Sequence, residues 1–254
     1  DHNNGGAGSL GNGVGDRPLI ADPELTEVNQ AYLDWQPGAG LLLRGGRQEI
    51  VVDNARFIGN VAWRQNHQSL DGAALRWAGI EDLALSAIWI ARQRTVTGAS
   101  RPMAGGHLDA SYTFSPAAVL PGYLLELDFD DEPQWGLSTR TLGAALTGTW
   151  KLGEKRSLRY RLEAAEQGET GDNPTAVDAP YRRADLGLAV GALSFDAGYE
   201  LLGDSAAGGA FQTPLATLHA FNGWADVFTT TPADGLRDLW LGCGAGLGAW
   251  KLQA

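Results

Sequence analysis

Six arginines and three acids carry the chemistry this sequence offers most plainly. Arg44, Arg47, Arg56, Arg64, Arg159 and Arg161 bear planar guanidinium groups whose donors form a fixed fork. Such forks bind carboxylates through two bonds at once, which suits a uronate or another organic anion. Asp71 and Glu163, together with Asp53, are the acids that would hold these arginines in place. Charged rings of this kind set selectivity when they line the constriction of a pore. Taken one at a time, each side chain reads first as a plain ion pair that stabilises a barrel interior. Arg44 and Arg47 have opposite parity along one segment, so both face one side only if a bulge lies between them.

Other chemistry is thin. The four histidines (His2, His67, His107, His219) fall in expected loops, and none stands at metal-ligand spacing with another His or Cys. No metal or cofactor is expected. There is no Gly-x-Ser-x-Gly elbow, and an enzyme is not expected. Asp128, Asp130, Asp131 and Glu132 lack a calcium-loop pattern and read as a solvated strand end. Gly11 to Gly15 precedes no strand–helix unit, so it is not a phosphate cradle. Cys243 is the single cysteine of the chain and has no internal partner for a disulfide. A net charge of −11 argues against nucleic acid as a partner.

The elements that must position these groups are strands. Leu158, Tyr160 and Leu162 alternate with Arg159, Arg161 and Glu163. Leu186, Leu188 and Val190 are spaced by two, after Asp185. Phe195 and Tyr199 alternate with Asp196 and Glu200. Period two gives each strand one apolar and one charged face. The chain has no run of about 20 apolar residues, which excludes a transmembrane helix but not a transmembrane barrel. In a barrel the apolar face meets lipid and the charged face lines the lumen, because a charge facing lipid at the midplane costs about 2–4 kcal/mol.

Strands are expected over 26–35, 41–52, 70–78, 82–92, 107–115, 121–129, 138–150, 157–166, 182–191, 193–202, 237–246 and 248–254. Short connections alternate with long ones at 53–69, 93–106, 130–137, 167–181 and 203–237. That alternation is characteristic of up-and-down transmembrane barrels, with tight turns at one end and long loops at the other. Trp35, Trp77, Phe114 and Trp150 each stand just before a short connection and Trp250 just after one, which places aromatic rings at one interfacial level. Residues 1–25 read as a glycine-rich loop and 26–254 as one barrel domain. Two segments also fit helices: Val28, Ala31, Tyr32 and Trp35, and the stretch from Thr213-Pro214 through Leu215, Leu218, Phe221 and Trp224.

Two stretches carry a resemblance. One comprises Gly46-Arg47-Gln48-Glu49-Ile50, Asp53-Asn54-Ala55-Arg56-Phe57-Ile58-Gly59, Trp63-Arg64-Gln65-Asn66 and Leu70-Asp71-Gly72. The other runs from Phe211 to Asp226. Together they resemble the alginate-export family of outer-membrane porins, with Leu70 standing where that family usually has an aromatic. The resemblance implies an all-β, antiparallel up-and-down transmembrane barrel in the bacterial outer membrane, with roughly 12 strands here. It implies a larger barrel of which these strands are the middle, and lipid as a partner. It also implies passive transport of anionic sugars, uronates, a polysaccharide or similar solutes. The oligomeric state is not legible.

Two other readings remain open at this point. In a soluble all-β carbohydrate-binding or scaffold domain, the apolar faces would meet in a sandwich core. Alternatively the loop from Phe211 to Asp226 folds inward and plugs the lumen.

Overall fold

The computed structural model describes residues 12–14, 16, 23–221, 227–248 and 250–254. The glycine-rich start, Trp224 and the end of the second resembling stretch lie outside the described residues.

Twelve strands form one antiparallel sheet in strict chain order. They are β1 (Ala31–Gly38), β2 (Leu41–Gln48), β3 (Ser69–Ile80), β4 (Leu83–Arg94), β5 (Ser100–Ser115) and β6 (Ala118–Phe129), then β7 (Thr139–Gly153), β8 (Arg156–Glu169), β9 (Asp178–Val190), β10 (Leu193–Leu202), β11 (Leu236–Leu247) and β12 (Trp250–Gln253). Among the described residues each strand pairs only with its chain neighbours, and β1 and β12 do not pair with each other, so the sheet is open.

Which face is covered decides the solvent of this sheet. Leu142 on β7 and Leu239 on β11 are 65% and 74% exposed, while Glu163 on β8 and Glu200 on β10 are 5% and 1% exposed. Gln48, Gln93, Thr141 and Gln167 are buried on the same side as those acids. A water-soluble sandwich does the opposite, burying leucine and exposing glutamate. The sandwich reading is therefore corrected: apolar side chains point outward, and polar ones point into the concave side. At the short-turn rim, Trp35, Phe114, Trp150 and Trp250 are exposed on or beside the outer face and Trp77 is half-buried there, so the five rings gather at one level.

Several boundaries move. The expected loop 93–106 is mostly strand, because β4 and β5 pair from Ser100 opposite Arg94 and leave a five-residue turn, 95–99. Gly98 closes that turn at φ +79°. The glycines and Pro102 mask a period-two pattern in which Met103, Gly105 and His107 face inward. The loop 167–181 shrinks to 170–177, since β8 and β9 stay paired as far as Gly168 opposite Asp178. Residues 49–52, expected as strand, belong instead to the loop 49–68. The candidate helix at Val28 to Trp35 is coil running into β1, which β2 captures by pairing from Arg47 to Leu41. The candidate helix after Pro214 reduces to a three-residue 3-10 turn at Leu218–Ala220, because Leu215 is held as a parallel bridge to Ile58.

Candidate functional site

Two long connections, 49–68 and the described part of 203–235, fold onto the concave face and meet there. Leu215 bridges Ile58, and its carbonyl accepts from the Gly59 N–H at 2.9 Å and from Gln68 Nε2 at 2.9 Å. The Thr217 N–H donates to the Ala55 carbonyl at 3.0 Å. Asp53, Ala55 and Val61 sit at φ near +50° to +65°, a region that non-glycine residues occupy only where surrounding contacts hold them.

Those contacts centre on Arg56, which is fully buried. Its Nε and Nη2 donate to Glu200 at 2.7 and 3.2 Å, and its Nη1 donates to Thr213 Oγ1 at 3.0 Å. The Tyr181 hydroxyl donates to the same carboxylate at 2.7 Å. Phe57 packs beside them, its ring centre 5.2 Å from that of Tyr123 and 5.3 Å from that of Tyr181. One loop from each half of the chain is thus bolted to strands β9 and β10 by a bidentate pair sealed under aromatic rings.

Below this junction, toward the short turns, lies a cleft of about 690 Å³ lined by Asp53, Arg159, Arg161, Arg183, Asp185 and Trp240, among others. A smaller one of about 270 Å³, which includes Phe57, His107, Tyr123 and Glu163, shares Asp53 and Arg161 with it. Arg161 is clamped twice, donating from Nε to Glu163 at 2.8 Å and from Nη2 to Asp53. Glu163 also accepts from the Tyr123 hydroxyl at 2.9 Å. Arg183 donates from Nε to Asp185 at 2.8 Å, with its guanidinium 5.4 Å from the centre of the Trp240 ring. Arg159 donates from Nη2 to Asp196 at 3.0 Å. Arg159 is held by one acid and Arg161 by two, while Arg183 also reaches Glu200 from Nη1 at 3.5 Å; each keeps further N–H donors for a visitor.

The expected site residues separate into three groups. Arg159, Arg161 and Glu163 come together with Asp53 in the clefts. Arg44 faces the same concave side, paired with Asp34 at 2.6 Å and stacked on the Tyr32 ring, near the open edge of the sheet. Arg56 is sealed in the junction, with no room for a solute.

Arg47 and Asp71 leave the lumen set altogether. The register of β2 on β3 runs unbroken from Leu41 to Gln48, so Arg47 shares the outward face of Leu43, and Asp71 shares that of Leu75. They pair with each other at 2.6 Å. The bulge that would have brought Arg44 and Arg47 to one side is absent from β2. Arg64 lies in the loop 49–68 with its guanidinium over the Trp63 ring at 3.9 Å.

Sequence reasoning missed Arg183, although it lies inside the expected strand 182–191 at the parity of Asp185. Tyr181, Arg183 and Asp185 continue the inward parity that Asp185 already showed. Tyr123 and Trp240 were missed because an inward-facing aromatic looks the same in sequence as a lipid-facing one. Among the described residues, no group of three or more His, Cys, Asp or Glu is arranged to hold a metal.

The family model for alginate export matches residues 9–205. The chain belongs to the alginate export family. No curated protein matches it by sequence. Solved structures show the same fold. OpdL of Pseudomonas aeruginosa aligns at a TM-score of 0.65 and 23% identity, covering 84% of this chain and 58% of that one. OpdQ of the same organism aligns at 0.67 and 15%, with the same coverage. OpdK, crystallised with vanillate, aligns at 0.62 and 16%, covering 81% and 54%.

The chain therefore spans a little over half the length of these structures. OpdK is described as an outer membrane protein. Membership of the alginate export family places this chain in the bacterial outer membrane, and its outward leucines and rim tryptophans form the face that such a barrel turns to lipid. The family is one of export rather than catalysis, in line with the expectation that the chain is not an enzyme.

Proposed function

We propose that the intact protein is a passive outer-membrane channel for small organic carboxylates, uronates among them, and that these pass Arg183, Arg161 and Arg159 in turn. The observation that supports this reading most is the row of three forks facing one cleft. Each is fixed by Asp185, by Glu163 with Asp53, or by Asp196, and each has donors to spare. A guanidinium held in advance loses little freedom when a carboxylate arrives. The family's connection with alginate, a polymer of uronates, and the vanillate in the OpdK crystal, itself a carboxylate, point the same way.

The four acids beside the three arginines more than offset their charge, so a solute is held by the free guanidinium donors and weakly enough to leave, as conduction requires. Binding of this kind is screened, and the Debye length falls from about 10 Å at 0.1 M salt to about 3 Å at 1 M.

Planar-bilayer recording of the full-length protein tests the proposal. Adding a hexuronate to the long-loop side is expected to interrupt the ion current in short blocks. Those blocks become rarer as salt rises, and a neutral hexose at the same concentration leaves the trace unchanged. No channel at any salt, or equal block by the neutral sugar, would contradict it.

A further inference from the structure

The two rims of the outward face carry different chemistry. The short-turn rim has the aromatic level already described. The long-loop rim has arginines. Arg47 on β2, Arg92 on β4, Arg140 on β7, Arg182 on β9 and Arg237 on β11 all lie within about four residues of the long-connection end of their strands.

Register places them outward. Arg47 and Arg92 flank Asp71, which shares the face of Leu75, with an extra residue in β4 at Ala91 turning Arg92 to that side. Arg140 shares the face of Leu142, and Arg182 shares that of Leu186. Arg237 shares the face of Leu239 and Leu241. None of the five points at the clefts, so transport leaves them without a role.

Between the arginines stand Asp71, Glu126 and Glu166, paired with Arg47 at 2.6 Å, Arg140 at 2.5 Å and Arg182 at 2.5 Å. The Arg140, Arg182 and Glu166 side chains are 59%, 43% and 58% exposed, and exposed pairs of this kind are held by about 0–1 kcal/mol. Such a pair gives way readily to a better partner. Arg237 is exposed and has no ion pair or hydrogen bond from its side chain among the described residues. In a chain of net charge −11, a row of arginines just above the lipid-facing leucines is a local reversal of sign.

We propose that this outward arginine row docks the phosphate-bearing headgroups of lipids in the leaflet on the long-loop side. A guanidinium fork matches a phosphate as it matches a carboxylate, through two parallel bonds. The height is right, because the row begins where the apolar outer residues end, which is headgroup level. Each basic residue near an anionic membrane surface adds about 1 kcal/mol to lipid attachment, about fivefold in affinity. The acids between the arginines, once released from their pairs, face the cations that accompany phosphates.

Native mass spectrometry of the full-length barrel tests this docking independently of channel activity. The probes are a diphosphorylated lipid A and the same lipid stripped of its phosphates. The barrel is expected to retain the phosphorylated lipid at least tenfold better, and millimolar inorganic phosphate is expected not to displace it. The triple variant Arg140→Gln, Arg182→Gln, Arg237→Gln, checked for folding by its heat-dependent gel mobility, is expected to lose about a hundredfold in retention. Equal retention of the two lipids overturns the proposal. So does a folded triple variant that holds lipid A as the parent does. Displacement by inorganic phosphate assigns the row to free anions and overturns the lipid assignment. If the variant does not fold, the two lipids compared on the parent barrel decide alone.

Discussion

Replacing Arg161 by glutamine weakens block of the channel by a hexuronate by about 10- to 100-fold, the span expected when a charged hydrogen bond worth about 1.5–3 kcal/mol is removed. The effect is large because Arg161 lies at the join of the two clefts and is clamped by acids from two elements, Glu163 on β8 and Asp53 in the loop 49–68. Removing it alone also leaves Glu163 buried with only the Tyr123 hydroxyl as partner, which destabilises the site by itself. The paired variant Arg161→Gln, Glu163→Gln separates the two effects. It relieves the stranded charge while the hexuronate block stays weak. Arg161→Lys keeps the charge but not the fork, and is expected to fall between parent and glutamine variant. Concentration dependence of current block measures all three. Equal block in parent and Arg161→Gln would remove Arg161 from the solute path.

Glu200→Gln produces a different change, a wider and noisier pore. Arg56 is fully buried and, among the described residues, finds its counter-charge only in Glu200, so neutralising that carboxylate strands a guanidinium at a cost of about 3–5 kcal/mol. The strands do not depend on this pair, since their ladders run unbroken around it, but the inward loops do. The cost is therefore met by releasing 49–68 and 203–235 from each other, where Ile58 and Leu215 now bridge. Single-channel conductance rises and open-state noise increases. Replacing the pair together, Arg56→Met with Glu200→Leu, removes both charges and restores a quieter trace. Unchanged conductance and noise in Glu200→Gln would show that the junction does not limit the pore.

Period two carried most of the architecture. Arg159, Arg161 and Glu163 could be placed on the inner face before any coordinates, because Leu158, Tyr160 and Leu162 alternate with them without interruption. The same rule fails where residues lack a distinctive face. Gly105 and Gly106 hid the first half of β5, and Asp178, Ala179 and Pro180, which carry no apolar–polar alternation, hid the start of β9.

The site was half legible for a related reason. Strand parity says which way a side chain points but not what a loop lays across it. That Asp53 reaches Arg161, or that Arg56 crosses to Glu200 from 144 residues away, depends on how two irregular segments fold inward. No local pattern encodes that contact. Arg47 shows the converse: its guanidinium suggested the lumen, whereas its parity with Leu43, opposite to that of Arg44, already pointed it outward.

The central claim is that the charged face of these strands lines a water-filled path and the leucine face meets lipid. Cysteine accessibility in the conducting full-length barrel tests it most directly. Cys243 shares the outward face of Leu241 and is first changed to serine to give a thiol-free background in this region. Asp196→Cys is then compared with Leu186→Cys, two positions on neighbouring strands with opposite facing. A charged, membrane-impermeant thiol reagent is expected to change the single-channel current of Asp196→Cys within seconds and to leave Leu186→Cys unaffected. A current change in Leu186→Cys with none in Asp196→Cys would contradict the account.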